Sequence, residues 1–227
     1  MSEAKLTYFN GWGLAEQARW MLAATEIPWT QIGLTTFLEF DSLRKTNQLL
    51  FNQLPLLEID GVNLSQSQAI VRYLAERGSL IPASPQEKAH VDMVAEAIRD
   101  CRGPIAGYPF SQNKQNHLVE AKKTVDKYFC LFEKIVLDKG GVYVNGEIMS
   151  FADILLAELI EEFCNNMFST DDILKDFPKL QLLHSTIVKL PGIAEYLTSD
   201  KRFAFPVEGP ECDKYCDNVN VVLGRKA

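Results

Sequence analysis

The chain of 227 residues is 47% hydrophobic and carries a formal net charge of −7, with a pI near 5.1. This length and apolar content fit one large or two small globular domains. The acidic balance argues against a nucleic-acid binder, which would show a basic surface. No apolar run approaches the roughly 18 residues that a membrane span needs, and no secretory signal precedes the first strand-like residues. We therefore expect a soluble, cytoplasmic protein.

Signatures of metal sites and of common hydrolases are missing from the sequence. The five cysteines form an odd set, which without a secretory signal indicates reduced thiols. Cys212 and Cys216 have C-x3-C spacing, but no second pair or nearby histidine completes a zinc site. The three histidines are isolated, and neither H-E-x-x-H nor G-x-S-x-G occurs. We expect no metal site and no hydrolase of those types.

Residues 1–78 alternate between strand-like and helix-like patterns. β-Branched and aromatic residues mark strands, apolar residues at helical spacing mark helices, and Asp60-Gly61 suits a tight type I′ hairpin. The predicted elements are a strand at 6–9, a helix at 14–25, a strand at 29–32, a helix at 40–50, a hairpin at 56–64 and a helix from 69 to about 78. The order βαβαββα predicts a small mixed sheet with helices on both faces.

A proline-rich stretch separates this half from the rest of the chain. Pro82 and Pro85 fall within four residues and break helices on both sides. The remainder shows helical spacing, with apolar stripes at 91–98 and 125–135. The predicted domains are an α+β domain at 1–80, a linker at 81–87 and an all-α domain at 88–227.

Two further features of the helical half concern its boundaries. Ser150 and Asp153 fit a capping box that opens a helix. The segment after Pro206 is ambiguous, because polar residues and helix breakers precede the apolar run at 219–223.

The turn after the first strand matches a nucleotide-binding loop only in part. Gly11 and Gly13 fit the first two glycines of G-x-G-x-x-G, but the third position is Glu16. A carboxylate there would repel a pyrophosphate at the helix N-terminus, so we expect no nicotinamide or flavin cofactor.

Two short segments and one tyrosine carry the remaining chemistry. Gln66 and Ser67 lie where a helix begins, and an amide, a hydroxyl and free backbone N–H groups can bind a carboxylate there. The same stretch fits an ordinary capping box with Ser65 as the cap, and both interpretations can hold together. Tyr8, on the first strand, is either a packed aromatic residue or a hydrogen-bonding catalyst.

The second segment is Asn52-Gln53-Leu54-Pro55, a polar amide pair that leads into the third strand. A cis bond before Pro55 would turn the backbone of Leu54 outward and free its N–H and C=O for a ligand, but spacing alone does not decide the isomer. The three features together predict a site for a small acidic peptide.

Taken as a set, these motifs resemble those of the cytosolic glutathione transferases. The resemblance runs from Lys5 to roughly Leu197, and its N-terminal motifs are Lys5-Leu-Thr-Tyr-Phe-Asn-Gly, Ala15-Glu-Gln-Ala-Arg-Trp, Asn52-Gln-Leu-Pro, Glu58-Ile-Asp-Gly and Gln66-Ser-Gln-Ala-Ile. The chain looks most like the tyrosine-type alpha class, with sigma-class features such as Gln66-Ser67. The resemblance implies a thioredoxin-like domain followed by an all-α domain, a homodimer, and glutathione as co-substrate without a metal or redox cofactor.

The resemblance also implies a role for individual residues at the thiol and at the γ-glutamyl group. Tyr8 would donate its hydroxyl to the glutathione sulfur. Leu54 would pair its backbone with the cysteinyl part, with Pro55 in cis. Gln66 and Ser67 would hold the γ-glutamyl carboxylate.

The glycyl end and the partner subunit complete the implied glutathione site. Gln53 would lie beside the cysteinyl-glycyl portion, and Arg44, with Lys45 as the neighbouring candidate, would meet the glycine carboxylate. Asp100 would reach the γ-glutamyl amine bound in the partner subunit. Lys127 would face the glycyl end from that subunit.

Two apolar surfaces are implied as well. Phe51 resembles the aromatic key that inserts into the partner, where Met93, Phe132 and Ile135 would form the lock. The expected walls of the electrophile pocket are Phe9, Trp12, Ile105, Tyr108 and residues 203–207.

Two regions depart from the family pattern. Alpha-class proteins usually carry an arginine shortly after the first strand, whereas Trp12 and Leu14 flank Gly13 here. Thiolate stabilisation is therefore expected to rest more heavily on Tyr8. Alpha-class members often close the apolar pocket with a final amphipathic helix, and the sequence of 211–227 leaves that lid undecided.

We expect an enzyme that conjugates the glutathione thiolate to hydrophobic electrophiles, as in detoxification. Its expected partners are glutathione, small hydrophobic electrophiles and a second copy of the chain. Two alternatives stay open. One is a glutathione-dependent isomerase such as a prostaglandin D synthase, and the other is a non-catalytic ligand carrier or lens crystallin.

Overall fold

The computed structural model of the chain describes residues 3–161, 167 and 173–226. Cys164 falls outside these residues, and the other four cysteines are free thiols, as predicted. Within the described part of the chain, no helix is both long and apolar enough to cross a membrane. The same residues contain no group of three or more His, Cys, Asp or Glu side chains that could hold a metal ion.

Four strands form one mixed sheet in the N-terminal half. They are β1 (Ala4–Phe9), β2 (Trp29–Leu34), β3 (Leu56–Ile59) and β4 (Val62–Ser65). In the order β2-β1-β3-β4, β1 runs parallel to β2 and antiparallel to β3, and β3 pairs with β4 as a hairpin. Leu6 of β1 and Leu57 of β3 stand opposite each other, and both are fully buried in the core of this half.

Three helices accompany the sheet. They are α1 (Glu16–Ala24), α2 (Phe37–Lys45) and α3 (Ser67–Arg77), and a short 3-10 turn (Gly13–Ala15) precedes α1. α1 packs against α3 and against helices of the second half. The observed order βαβαββα confirms the predicted fold of this half.

The second helix begins earlier than the prediction of 40–50, because a capping box sets its start. Thr36 is the N-cap, and its Oγ1 accepts a hydrogen bond from the Glu39 N–H at 3.2 Å. The Glu39 carboxylate in turn accepts from the Thr36 N–H at 2.9 Å, which satisfies a second free donor of the first turn.

The start of α3 also differs from the capping box predicted at Ser65. Gln66 is the N-cap, with φ of 73° and no hydrogen bond from its side chain to the helix. Gln68, the expected partner of Ser65, turns inward instead, and its Nε2 donates to Gln17 Oε1 of α1 at 2.9 Å. The side chains at this helix start are therefore not used for capping.

The regular elements described in the second half are helices, apart from one isolated bridge between Tyr143 and Gly146. Its helices are α4 (Pro85–Ala106), α5 (Lys114–Lys139), α6 (Phe151–Leu159), α7 (Pro178–Ile187), α8 (Pro191–Thr198) and α9 (Pro210–Val222), with a 3-10 turn at Tyr108–Phe110. α4 packs against α5 and α6, and α6 also packs against α1. The all-α prediction for this half is confirmed.

Two helix starts show how local sequence sets the boundaries. α4 begins inside the predicted linker, because Ser84 caps it and Pro85 suits the first helical position. The capping box at α6 is present as predicted, and in it the Asp153 carboxylate accepts a hydrogen bond from the Ser150 N–H at 2.8 Å. The same carboxylate also accepts from the Val144 N–H at 2.8 Å. Burial raises the pKa of Asp153 to about 6.

The ambiguous C-terminal segment forms α9, which returns to the sheet of the first half. Asn218 Oδ1 accepts from the Asn10 N–H, and Asn218 Nδ2 donates to the Leu34 carbonyl, each at 2.9 Å. One side chain therefore joins α9 to the ends of both β1 and β2.

Candidate functional site

The Tyr8 phenol lies buried near the end of β1. Its Oη accepts a hydrogen bond from the Leu14 N–H at 2.9 Å. Burial raises the pKa of the Tyr8 phenol above its ordinary value, although the Leu14 N–H, Arg102 and Arg19 act against the rise. The phenol therefore stays protonated at neutral pH and keeps an O–H to donate.

Gly13 lets the chain turn closely over this phenol. Its φ is +49°, in the left-handed region that favours glycine. A Cβ at Gly13 would lie only 2.4 Å from the Tyr8 Oη. No other residue type leaves room for the contact between Tyr8 and the Leu14 N–H.

Arg19, a buried residue of α1, also binds the backbone of this turn. Arg19 donates from Nη2 to the Gly11 carbonyl at 3.0 Å and from Nη1 to the Trp12 carbonyl at 3.1 Å. It forms an ion pair with Glu16 at 2.7 Å, and both side chains are fully buried. The buried Glu16 explains why the third glycine of a nucleotide-binding loop is missing, since its carboxylate balances Arg19.

No arginine stands beside Gly13, as the sequence shows, but two arginines from helices lie near Tyr8. Arg19 and Arg102 both act to lower the pKa of the Tyr8 phenol. Arg19 could have been found in the sequence as one half of a Glu-x-x-Arg pair on a helix. Arg102 offered no such signal, because it reaches the turn from α4 across 89 residues of sequence.

A second group of predicted residues meets where the β3–β4 hairpin closes. Because Leu56 pairs with Ser65, the residues just before β3 and just after β4 are neighbours. Gln66 Nε2 donates to Gln53 Oε1 at 2.9 Å across this gap. The free N–H groups of the first turn of α3 lie beside these amides, as an anion site requires.

Leu54 and Ser67 belong to the same corner of the molecule. The Leu54–Pro55 peptide bond is cis, as the resemblance implies. Leu54 precedes β3, and Ser67 is the first residue of α3. The hairpin thus brings the Leu54 backbone, the two glutamine amides and a serine to one place.

The predicted glycyl-end cations share one carboxylate at the end of α2. Asp41 pairs with Arg44 at 2.8 Å and with Lys45 at 2.5 Å. These contacts hold the pKa of Asp41 below its ordinary value. The Arg44 guanidinium also lies over the rings of Phe37 and Phe40.

The residues assigned to the partner subunit lie on the helical half. Asp100 on α4 and Lys127 on α5 are exposed. Phe51 is 56% exposed and Met93 is 65% exposed. Phe132 is fully buried, because it belongs to the apolar stripe of α5 that faces the core, so it offers no surface to a partner's key.

A cavity of about 650 Å³ lies between the turn after β1, the segment 202–208 and α9. We call it the α9 cavity. Trp12 lines it, as do residues 203–207, and the Trp12 ring meets Phe205 edge to face at 4.8 Å. A cavity of about 630 Å³ between α1 and α8 contains none of the predicted site residues.

Three predicted pocket walls do not line the α9 cavity. Ile105 is fully buried in the helical core, and the Phe9 ring packs on Tyr8 with 4.8 Å between centroids. The Tyr108 hydroxyl donates to Glu208 Oε1 at 3.1 Å. α9 packs against the turn that carries Tyr108.

Tyr215 is a site residue that the sequence interpretation missed. Its ring packs on Gly11, where a Cβ would clash with it. A Cβ on Gly13 would lie 2.9 Å from the Tyr215 Oη, so two phenol hydroxyls converge on this glycine. Burial, and then the neighbouring Tyr8, raise the pKa of Tyr215, which therefore stays protonated.

A periodic signal for Tyr215 was present in the sequence. The buried residues of α9 recur at helical spacing, and they are Cys212, Tyr215, Val219 and Val222. That stripe identifies an amphipathic helix, although it does not show where the helix docks.

Comparison with known proteins now decides the family. Two family models match, the glutathione S-transferase N-terminal domain over residues 4–76 and the C-terminal domain over residues 99–200. Glutathione S-transferase A4 of Mus musculus is 35% identical over 230 residues and covers 98% of each chain. This chain belongs to the glutathione S-transferase family. Glutathione S-transferase alpha-4 of Rattus norvegicus is 36% identical over 225 residues, covering 96% of this chain and 97% of the relative.

Solved structures of similar proteins share the fold of this chain. Monomeric Na-GST-3 of Necator americanus is 26% identical, with a TM-score of 0.76, and the match covers 89% of this chain and 100% of that one. Prostaglandin synthase D of Nilaparvata lugens is 26% identical, with a TM-score of 0.71, over 88% of this chain and 98% of the other. The family uses glutathione as co-substrate and needs no metal, and this chain is a transferase of that type.

Proposed function

We propose that this transferase conjugates the thiolate of glutathione to hydrophobic electrophiles and serves in detoxification. The observation that carries the proposal is the buried, protonated Tyr8 phenol, which faces a turn fixed by glycine and two arginines beside the α9 cavity, where Trp12 and Phe205 supply apolar walls. A phenol that keeps its proton can donate a hydrogen bond to a sulfur anion. The cavity next to it offers space for the second substrate.

Glutathione would bind along the corner formed by the β3–β4 hairpin. Gln66, Ser67 and the first N–H groups of α3 would take the γ-glutamyl carboxylate, since the positive end of a helix favours an anion. The backbone of Leu54 would pair with the cysteinyl residue, and Gln53 would lie beside it. Arg44 or Lys45, at the end of α2, would meet the glycine carboxylate.

The catalytic gain would come from stabilising the thiolate. A free thiol has a pKa of about 8.5, and lowering it to about 6.5 requires about 2.7 kcal/mol of preference for the anion. One hydrogen bond from Tyr8 to a charged acceptor supplies about 1.5–3 kcal/mol. The sulfhydryl proton leaves to solvent, and the thiolate forms a C–S bond to the electrophilic carbon of the second substrate. With chloro-dinitrobenzene, the C–Cl bond then breaks and chloride departs to solvent. The protein forms no covalent intermediate, and positioning supplies the rest of the rate.

The same proposal includes a homodimer in the cytoplasm. The exposed Phe51 and Met93 are the apolar side chains that a partner would cover. Asp100 and Lys127 would then reach the glutathione of the partner subunit. Sedimentation of the purified chain tests this part, and a species with the mass of one chain, 25.6 kDa, would contradict it.

The domain boundaries belong to the proposal as well. Residues 1–80 would form the thioredoxin-like, glutathione-binding domain, and residues 88–227 the helical domain, with 81–87 as the linker. Limited proteolysis, with the fragments identified by mass, checks these boundaries.

A glutathione-dependent isomerase is the second candidate. The likeness to prostaglandin synthase D of Nilaparvata lugens favours it. Both activities use the same thiolate and differ in the second substrate. Product analysis with a prostaglandin endoperoxide separates them, because an isomerase returns glutathione unchanged and a conjugating enzyme consumes it.

The deciding experiment removes one oxygen atom. Tyr8→Phe is assayed for conjugation of glutathione to chloro-dinitrobenzene, and we expect kcat/KM to fall at least tenfold, equivalent to about 1.4 kcal/mol. Tyr73→Phe is the matched control, because its hydroxyl binds Asp60 at the surface, away from the site. Equal activity of Tyr8→Phe and the unmodified chain would refute the catalytic role of the phenol. Absence of conjugation by the unmodified chain would leave the isomerase and the non-catalytic carrier.

A further inference from the structure

Arg102 connects the helical half to the turn over Tyr8. Its Nη2 donates to the Gly13 carbonyl at 2.7 Å. The next backbone donor along the chain is the Leu14 N–H, which meets the Tyr8 Oη at 2.9 Å. The orientation of the peptide between Gly13 and Leu14 is therefore fixed on one side by a guanidinium and on the other by the phenol.

Arg102 is itself held in one orientation. It pairs with Glu158 of α6 through Nη2–Oε1 at 3.2 Å and Nε–Oε2 at 3.3 Å, and both side chains are buried. The guanidinium lies over the Trp12 ring at 3.9 Å from its centroid. A planar guanidinium with partners in its plane and an aromatic ring on its face has little freedom to turn.

The guanidinium is also an electrostatic neighbour of the phenol, and it opposes the effect of burial on the pKa of Tyr8. The ionisable groups that face this site from the packed elements are Arg19 and Glu16 of α1, Arg102 of α4, Glu158 of α6 and Tyr215 of α9. Burial raises the pKa of the Glu158 carboxyl, and Arg102 acts against that rise. The charges of Arg102 and Glu158 therefore depend on each other.

We propose that Arg102 is a positioning residue of the thiol site. It fixes the Gly13 carbonyl, and with it the Leu14 N–H that meets Tyr8, and it places a positive charge beside the place where a sulfur anion forms. Trp12 and Leu14, on either side of Gly13, carry no charge, so the helical half supplies what the turn lacks. This inference rests on the proposed function.

The test compares Arg102→Met with Arg102→Lys. There are two readouts. The first is the pKa of the bound glutathione thiol, measured from the ultraviolet absorbance of the thiolate, and the second is the pH profile of kcat/KM. We expect Arg102→Met to raise that thiol pKa by about one unit, so that kcat/KM on the acid side falls about tenfold. The KM for glutathione should stay within about twofold. Arg102→Lys keeps the charge and should recover at least half of the shift.

Two further variants separate this role from a structural one. Asp153→Asn removes a buried carboxylate from α6, the helix that also carries Glu158, and should lower stability without moving the thiol pKa. If Arg102→Met does not fold, Arg102→Met with Glu158→Leu leaves no unpaired buried charge, and the same readouts apply.

An unchanged thiol pKa and pH profile in either folded variant would overturn the inference, even if activity fell, and would leave the proposed function standing. A thiol that is not ionised even in the unmodified complex would instead defeat the proposed function itself.

Discussion

The two halves of the candidate site are built in different ways. The proposed peptide-binding corner, with Gln53, Gln66 and Ser67, is assembled by one hairpin and one helix start, all within the first half of the chain. The proposed thiol-binding turn, from Gly11 to Leu14, depends on the helical half, because α4 supplies Arg102 and α9 supplies Tyr215. Substrate affinity and thiol chemistry should therefore respond to different mutations.

The largest effect is expected at Gly13. Gly13→Ala places a Cβ 2.4 Å from the Tyr8 Oη, at a φ of +49° that alanine disfavours. The turn must shift, and a displacement of about 1 Å at a reacting group costs about a hundredfold in rate. We expect kcat to fall about a hundredfold in the conjugation assay, with a smaller change in the KM for glutathione.

Gly61→Ala is the control for the backbone cost alone. Gly61 has a φ of +78°, and a Cβ there would meet no atom within 4 Å. Both variants should lose about 1–2 kcal/mol of unfolding free energy from the left-handed conformation. If Gly13→Ala and Gly61→Ala had the same kcat, the close approach of the Gly13 backbone to the Tyr8 Oη would have no effect on catalysis.

An intermediate effect, on binding rather than chemistry, is expected at Gln66. Gln66→Asn shortens the side chain that reaches Gln53, and we expect the KM for glutathione to rise about tenfold, or 1.4 kcal/mol. The pKa of the bound thiol should not move, since no charge near Tyr8 changes. Gln53→Asn and the double variant complete a cycle. Additive effects in that cycle would show that the hydrogen bond between Gln66 and Gln53 does not contribute to binding. A shifted thiol pKa would contradict the division between the two regions.

The smallest effect is expected at Tyr215. Tyr215→Phe keeps the ring that packs on Gly11 and removes the second hydroxyl near Gly13. We expect this hydroxyl to donate one neutral hydrogen bond in the glutathione complex, and losing that bond, worth about 1 kcal/mol, predicts a roughly fivefold fall in kcat. The KM for glutathione should be unchanged, because α9 does not form the peptide-binding corner. A change in that KM without a change in kcat would mean that the hydroxyl acts on glutathione binding and not on the thiol chemistry, which would contradict the division between the two regions.

The sequence could predict the features that depend on neighbouring residues, and it could not predict those that depend on long-range contacts. The sheet, the Asp60-Gly61 hairpin and the α6 cap follow from neighbouring residues, so periodicity and turn chemistry suffice to find them. The start of α2 was misplaced, because Thr36 and Glu39 cap it before its apolar pattern begins.

The peptide-binding corner was predictable for the same reason, since its residues flank one hairpin. Arg102, one of the two cations near Tyr8, was not predictable, because it approaches from a helix 89 residues away in sequence. Tyr215 belonged to a visible stripe, but the contact between α9 and β1 depends on packing of the whole chain. In our proposal, long-range contacts of this kind determine the thiol chemistry.

The account depends most on the ionisation of the bound thiol. Ultraviolet titration of the complex between glutathione and the unmodified transferase measures it directly. We predict an apparent pKa of about 6.5, against about 8.5 for a free thiol. A bound sulfhydryl that titrates at its free-solution value would contradict the account, and Tyr8 would then be no more than part of a docking site.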